Sequence, residues 1–187
     1  MKSLHHIYLL IFGLILAFAG HVQGQGSSSG SVVFMRVTGQ KQGAILGEVT
    51  QKGRDGLHSL RAYSHEIVVP RDAASGLPTG KRQHQPFRIV KLLNQGSPGL
   101  LTAMTTGENL TSVVIDVWTP SVTGAEVKLM TYTLTNAQIV SIRPWMPNKS
   151  DASAANYPPA EEIAFTYQSI SVLFVPSGSE SVDYWTP

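Results

Sequence analysis

The residues of this sequence that could support metal or acid–base chemistry are few and poorly spaced for it. His58 and His65 stand seven positions apart in one predicted strand, so their side chains project from opposite faces. A metal site that adds His84 as a third ligand is therefore disfavoured, because a closed site needs three or four converging ligands. We expect these histidines to be surface residues or hydrogen-bonded structural ones.

The neighbouring pairs Ser64-His65 and Glu161-Glu162 are equally poor catalytic candidates. Consecutive residues of a strand point to opposite sides, so neither pair shares a cleft, as nucleophilic or acid–base catalysis requires. Asp116 is the one charge inside an apolar strand pattern, and we expect it to face solvent or a partner subunit. The nucleophile-elbow, P-loop, dinucleotide-binding and zinc-protease motifs are absent from the sequence. We expect no enzymatic activity and no cofactor.

The composition excludes several further classes of protein. Only 14% of the 187 residues are charged, against about 25% in an average protein, which argues against a disordered charged chain. The net charge of +2 gives no electrostatic signature of nucleic-acid binding. Cysteine is absent, which excludes disulfide scaffolds, cysteine-ligated zinc or iron–sulfur sites and thiol catalysis.

The first 24 residues have the pattern of a secretory signal peptide. Lys2 precedes an apolar run at residues 7–19, and small and polar residues follow it up to Gly24. The run is shorter than the ~20 residues that span a bilayer, so we expect cleavage after Gly24 and no stable membrane anchor. The mature chain is then periplasmic or secreted, and residues 25–31 form a flexible leader rich in Gly and Ser.

The body of the chain has the alternation and β-branched content of strands, interrupted by Gly and Pro turn signals. One helix is predicted at residues 98–106, because Ser97 can cap it, Pro98 fits its first turn and Gly107 can end it. Residues 71–85 read as a long loop and residues 177–187 as a polar tail. The predicted strands cover residues 32–37, 44–50, 57–69, 87–93, 110–118, 126–135, 137–143 and 161–175.

This order of elements predicts a mainly β fold with one short flanking α-helix. The strands are expected to form a small antiparallel β-barrel or a β-sandwich. The domain is expected to occupy residues 32–176. With fewer than 200 residues, a single domain is the default.

Three stretches in the same order resemble the haemolysin-coregulated protein family, the tube subunits of bacterial type VI secretion. The first is Lys81-Arg82-Gln83-His84-Gln85-Pro86-Phe87 and its continuation to Lys91; the second is Ser97-Pro98-Gly99-Leu100-Leu101. The third pairs residues 132–137 with the late run EEIAFTYQSI at residues 161–170. Together they extend over roughly residues 32–175.

The resemblance implies a small β-barrel with one helix, a homo-hexameric ring, and rings that stack into a hollow tube carrying effector proteins. It implies no catalysis and no cofactor. The predicted signal peptide departs from the family, whose subunits assemble in the cytosol and need none. Three explanations are open. The ring or tube is assembled outside the cytosol, the N-terminal segment is not cleaved, or translation starts at a codon other than that of Met1.

Ring assembly requires different complementary patches on each subunit. The loop at residues 71–85 is long enough to reach a neighbouring copy, so we predict assembly contacts at Arg71, Asp72, Lys81 and Arg82, with Asp116 as a further candidate. The alternative is that the loop is simply mobile. An alternative function is a secreted binding module that holds a passenger protein as a monomer or a single ring.

Overall fold

The computed structural model describes residues 30–151, 153 and 156–185, so the predicted signal peptide and most of the leader lie outside the described residues. The prediction of a mainly β fold with one short helix is confirmed. The elements are β1 (Val32–Gly39), β2 (Gly43–Ile45), β3 (His58–Ser64), β4 (Ile67–Val68), β5 (Gln83–His84), β6 (Phe87–Leu92), α1 (Ser97–Thr105), β7 (Leu110–Pro120), β8 (Glu126–Trp145), β9 (Ala160–Thr166), β10 (Ser169–Phe174) and β11 (Ser179–Tyr184).

Six strands close into an antiparallel barrel in the order β8-β7-β1-β3-β6-β9, with β9 returning to β8. Closure depends on β8, whose first part pairs with β7 and β10 and whose second part pairs with β9. At the change of partner Asn136 has a φ of 49°, a left-handed conformation that Asn tolerates better than most residues. β10 and β11 extend the sheet beyond the barrel, and β11 is its edge.

The core lies inside the barrel and under the helix. Alternate residues of the strands point inward, which is the period-2 pattern of a half-buried sheet. The helix contributes Leu100 and Ala103, which are both buried. Fully buried side chains of the core include Met35, Phe87, Ile89, Leu110, Ile115, Leu134, Ile163 and Phe165.

The helix begins one residue earlier than predicted, and Ser97 does not cap it. The N-cap is Gly96, which has no side chain to bond. The Ser97 hydroxyl instead donates to Glu161 Oε1 at 2.7 Å, so it joins the helix to β9. Gly107 follows the helix with a φ of +62°, in agreement with its predicted role as the terminating glycine.

The strand boundaries differ from the prediction in several places. Residues 126–145 form one strand rather than two, and the run at 161–175 is divided at Tyr167-Gln168. The predicted strand at 44–50 ends at Ile45, and the predicted stretch at 57–69 is divided into β3 and β4. The polar tail contains β11, which pairs with β10 along its whole length. A strand at a sheet edge is polar because much of it faces water.

The described residues contain no helix that is both long enough and apolar enough to cross a membrane.

Candidate functional site: an exposed hairpin arm and its anchor

The loop predicted at residues 71–85 belongs to a β-hairpin, which we call the arm (residues 66–85). β4 pairs with β5 at its base, and a bridge between Arg71 and Pro78 continues the pairing toward its tip. Gln85 N donates to Glu66 O and Thr79 N donates to Pro70 O, both at 2.9 Å. The arm is therefore an ordered projection, and the loop predicted at residues 71–85 includes one short strand, β5, at its end.

Asp72 organises the tip of the arm. Its Oδ1 accepts hydrogen bonds from Ala74 N, Ser75 N and the Ser75 hydroxyl, and these bonds hold the pKa of the carboxyl below its usual range. Arg71 donates to Gly76 O at 2.9 Å across the same turn. The turn presents the side chain of Leu77, which is 65% exposed.

The arm exposes more apolar surface than its own two strands can cover. Ile67, Val68 and Val69 are consecutive and each is roughly 40% exposed. A two-stranded hairpin with nothing packed on it is marginally stable in water, and exposed apolar patches mark interaction surfaces. The arm thus has the composition of a segment that packs against another molecule.

The base of the arm is anchored to the C-terminal strand. Arg82 Nε donates to Asp183 Oδ2 at 2.7 Å, and this bond is the main cause that holds the pKa of Asp183 low. The His84 ring lies 5.6 Å from the Trp185 ring, between centroids. Trp185 also contacts Tyr167 edge-on at 5.0 Å. These contacts fix the direction in which the arm leaves the barrel.

Two histidines share one tyrosine hydroxyl beneath this anchor. His65 Nε2 is 2.6 Å and His84 Nδ1 is 2.8 Å from Tyr167 Oη, so the hydroxyl donates to one ring and accepts from the other when both are neutral. Burial is the main cause that lowers the pKa of His65, and the nearby His84 adds to it. Burial likewise raises the pKa of Tyr167 above its ordinary value. The shared hydroxyl therefore links the end of β3, the base of the arm and the junction between β9 and β10.

The three stretches that carry the sequence resemblance meet in a second buried polar cluster. Lys91 at the end of β6 lies opposite Glu161 of β9 in the sheet register, and its Nζ is 2.7 Å from Glu161 Oε1. Lys91 Nζ also donates to Asn94 Oδ1 at 2.9 Å and to Ser97 Oγ at 3.1 Å. This cluster fastens the start of the helix to the barrel wall, which is a structural role.

Glu162, the neighbour of Glu161, points to the other side of β9. It accepts hydrogen bonds from Arg88 at 3.2 Å and from Arg143 at 2.8 Å. The two carboxylates therefore diverge, as strand geometry predicts, and each has a basic partner. They do not form a catalytic pair.

Of the five predicted assembly residues, four lie on the arm and one does not. Arg71, Asp72, Lys81 and Arg82 are exposed parts of the hairpin, although Arg82 is also bonded to Asp183. Asp116, which was expected to face solvent or a partner subunit, is only 7% exposed and so does not face open solvent. Its carboxylate binds Lys128 Nζ at 2.9 Å and Thr131 Oγ1 at 2.6 Å within the same subunit.

Sequence reasoning missed the apolar residues of the arm and the residues that anchor it. The run Ile67-Val68-Val69 before Pro70 was a usable signal, because three apolar residues in a row do not fit a strand with one solvated face. Asp183 and Trp185 carried no signal, since they reach the arm only through the tertiary fold. Within the described residues no three His, Asp or Glu side chains are placed to hold a metal ion.

The family profile described as "Type VI secretion system effector, Hcp" matches residues 34–174, which include the barrel, the helix and the arm. The "Major exported protein" of Pseudomonas aeruginosa is 36% identical over 161 residues, which cover 81% of this chain and 94% of that protein.

Two solved structures have the same architecture. The crystal structure of an Hcp protein superposes with a TM-score of 0.78 at 26% identity, covering 84% of this chain and 99% of that one. The secreted protein Hcp3 from Pseudomonas aeruginosa superposes with a TM-score of 0.70 at 28% identity, covering 84% and 100%. Since the profile and the relative both extend over most of the chain, this protein belongs to the Hcp family of type VI secretion.

Proposed function

We propose that this protein is a structural subunit that assembles into hexameric rings, that the rings stack into a hollow tube, and that the tube carries effector proteins. Membership of the Hcp family supports this proposal. The proposed role needs no catalytic group, and the polar clusters of the subunit serve its fold.

The observation that carries the proposal is the apolar surface of the arm, which other parts of the subunit leave exposed. Ile67, Val68, Val69 and Leu77 are exposed on an ordered projection. A closed ring of identical subunits requires that one surface of each copy fits a different surface of the next. An arm held rigidly at its base supplies one member of such a pair, because little conformational entropy is then lost on binding.

We further propose that Arg71, Asp72, Lys81 and Arg82 act as assembly residues through the arm. Asp72 holds the tip, and Arg82 holds the base through Asp183. Arg71 and Lys81 contribute exposed positive charge to the surface that meets the neighbour. Charges at the rim of an interface mainly set orientation and association rate.

We also propose that the protein is exported. The name of the Pseudomonas aeruginosa relative, "Major exported protein", supports this, as does the signal-peptide pattern of residues 1–24. Ring assembly would then take place outside the cytosol.

The test is negative-stain electron microscopy with light scattering on protein purified from the full-length reading frame. We expect rings of six subunits, and stacked rings at high protein concentration. Val68→Asp on the arm should abolish them, whereas Val122→Asp on the exposed β7–β8 turn should not. A monomer at every concentration would contradict the assembly proposal and favour the alternative of a secreted binding module.

A further inference from the structure

The buried ring of His84 has partners that assign the position of its proton. Its Nε2 lies 3.3 Å from Asp183 Oδ2, and its Nδ1 lies 2.8 Å from Tyr167 Oη. A nitrogen without a proton would point a lone pair at the carboxylate, so Nε2 carries the proton of the neutral ring. Nδ1 is then an acceptor, and the hydroxyl of Tyr167 must be its donor.

The single proton of the Tyr167 hydroxyl then decides the state of His65. Because this proton is donated to His84, the hydroxyl oxygen can only accept from His65 Nε2, which is 2.6 Å away. His65 Nε2 therefore carries a proton. The result is a hydrogen-bond relay in which every donor points the same way, from His65 through Tyr167 and His84 to Asp183.

The relay begins at an exposed cleft and ends at a charged pair. His65 is half-buried and lines a cleft of about 220 Å³, whose other walls are Ser64, Glu66, Gln85, Pro86 and Arg88. At the far end Arg82 Nε donates to Asp183 Oδ2 at 2.7 Å. The charged groups that face the relay are thus Glu66 and Arg88 beside His65, and Arg82 and Asp183 beside His84. Arg88 is in turn paired with Glu162 of β9.

The relay can take up one proton without losing a hydrogen bond. The proton binds to the free nitrogen of His65, the Nε2 proton moves to Tyr167 Oη, and the hydroxyl proton moves to His84 Nδ1. Each N–H or O–H bond that breaks is replaced by one that forms, and only the direction of the bonds is reversed. The positive charge ends on His84, opposite Asp183, whose pKa is held low mainly by the hydrogen bond from Arg82.

A second proton cannot be accommodated in the same arrangement. With both rings charged, two N–H groups point at Tyr167 Oη, and the hydroxyl proton has no ring nitrogen left to accept it. The two positive rings, with centroids 6.5 Å apart, also repel each other. In agreement with this, burial and then the neighbouring His84 lower the pKa of His65.

The relay holds the end of the C-terminal strand against the barrel. The Trp185 ring, which follows β11, contacts the His84 ring at 5.6 Å and the Tyr167 ring at 5.0 Å. Trp185 N donates to Gln168 O at 3.0 Å, next to Tyr167. Loss of the relay bonds would therefore loosen both the end of β11 and the base of the arm at β5.

We propose that the relay is a proton-operated latch, which stays closed with no added proton or one and opens when a second proton binds. Opening releases Trp185 with the end of β11 and frees β5. All groups of the latch belong to one subunit, so the inference does not depend on ring assembly.

The first test is amide hydrogen exchange of the full-length protein, measured by mass spectrometry and corrected for intrinsic rates, at about pH 7.5 and about pH 5.5. The open latch binds one proton more than the closed one, so opening should increase about tenfold per pH unit below about 6.5. Peptides over residues 82–85 and 179–185 should therefore exchange about tenfold faster at the lower pH. They should also exchange faster than β7 at both pH values, because the latch opens without the barrel.

Three results of this experiment would overturn the proposal. An unchanged rate would mean that the closed latch accepts both protons, and an increase of about a hundredfold would mean that it accepts neither. Exchange of these peptides at the same rate as β7 would mean that they open only when the whole barrel unfolds.

Two variants distinguish the latch from a general effect of acid. His65→Gln removes the second proton site while its amide can still donate to Tyr167 Oη, so exchange at 82–85 and 179–185 should lose its pH dependence. The matched control is His58→Gln, which removes a buried histidine bonded to Ile45 O, outside the latch. It should keep the tenfold change, and loss of that change in this variant would contradict the proposal. Circular dichroism checks that both variants are folded.

Nitrogen NMR of labelled histidine side chains in the unmodified protein tests the relay without any substitution in the sample observed. At about pH 8.5, where unperturbed histidine is neutral, His84 should be protonated at Nε2 and bare at Nδ1. On acidification His84 should become charged before His65, the signals being assigned by their loss in His84→Gln and His65→Gln. A His84 ring protonated at Nδ1 alone, or a charged His65 beside a neutral His84, would overturn the relay and the latch with it.

Discussion

Lys91 Nζ lies 2.7 Å from Glu161 Oε1 where β6 and β9 pair, and both side chains are almost completely removed from solvent. Removing one partner of such a pair leaves a buried uncompensated charge, which costs about 3–5 kcal/mol. We therefore expect Glu161→Gln to lower the free energy of unfolding by about 3 kcal/mol, measured by urea denaturation.

The matched comparison is the double variant Lys91→Met with Glu161→Leu. It should lose much less stability than either single change, because no charge is left unpaired. A double variant as unstable as Glu161→Gln would show that packing, rather than charge pairing, sets the cost at this site.

The anchor between β11 and the arm should control the mobility of the arm. Trp185→Ala removes the ring that packs on His84 and Tyr167, and Arg82→Gln removes the ion pair with Asp183. Either change should speed amide hydrogen exchange in residues 66–85 about tenfold, measured by mass spectrometry. Lys81→Gln is the control and should leave exchange unchanged; equal acceleration by it would argue against the anchor.

We expect Asp116 to affect the stability of the folded subunit rather than its assembly into rings. Asp116→Asn retains the shape of the side chain but loses the charge that pairs with Lys128, and we expect a loss of about 1–2 kcal/mol in the free energy of unfolding. A double-mutant cycle with Lys128→Gln measures the coupling between the two residues. If Asp116→Asn blocks ring formation without changing stability, the residue is an assembly contact.

Stability should fall as the pH falls below about 6.5, where unperturbed histidine begins to take up a proton. Burial lowers the pKa of both His58 and His65 in the folded protein. The unfolded chain then binds more protons than the folded one in this range, so the stability present at neutral pH is lost on acidification.

The measurement is the urea midpoint at about pH 7.5 and about pH 5.5. His65→Gln removes one of the two groups and should flatten the dependence. A midpoint that does not move between these two values would contradict the prediction. The pKa values of Glu162 and Asp183 are also lowered in the folded protein. Their effect on the stability falls within and below the usual titration range of carboxylates, which is more acidic than the two pH values compared here. The difference between the two midpoints therefore reports on the histidines.

The local pattern of the sequence determined the class of the fold and most of its elements. Alternation over residues 110–118 and the signals Ser97-Pro98 and Gly107 are local, and the structure has β7 and the helix at those places. The spacing of His58 and His65 also disfavoured a metal site, because residues seven positions apart in a strand project from opposite faces. The motifs that suggested the family lie close together in the folded chain, at the pair Lys91 and Glu161.

The tertiary structure alone decided how the arm is held and what it exposes. Asp183 lies 101 positions from Arg82 in the chain, and Tyr167 lies 102 positions from His65. No periodicity within a segment encodes contacts of that range, since they depend on closure of the barrel and on the position of β11 at its edge.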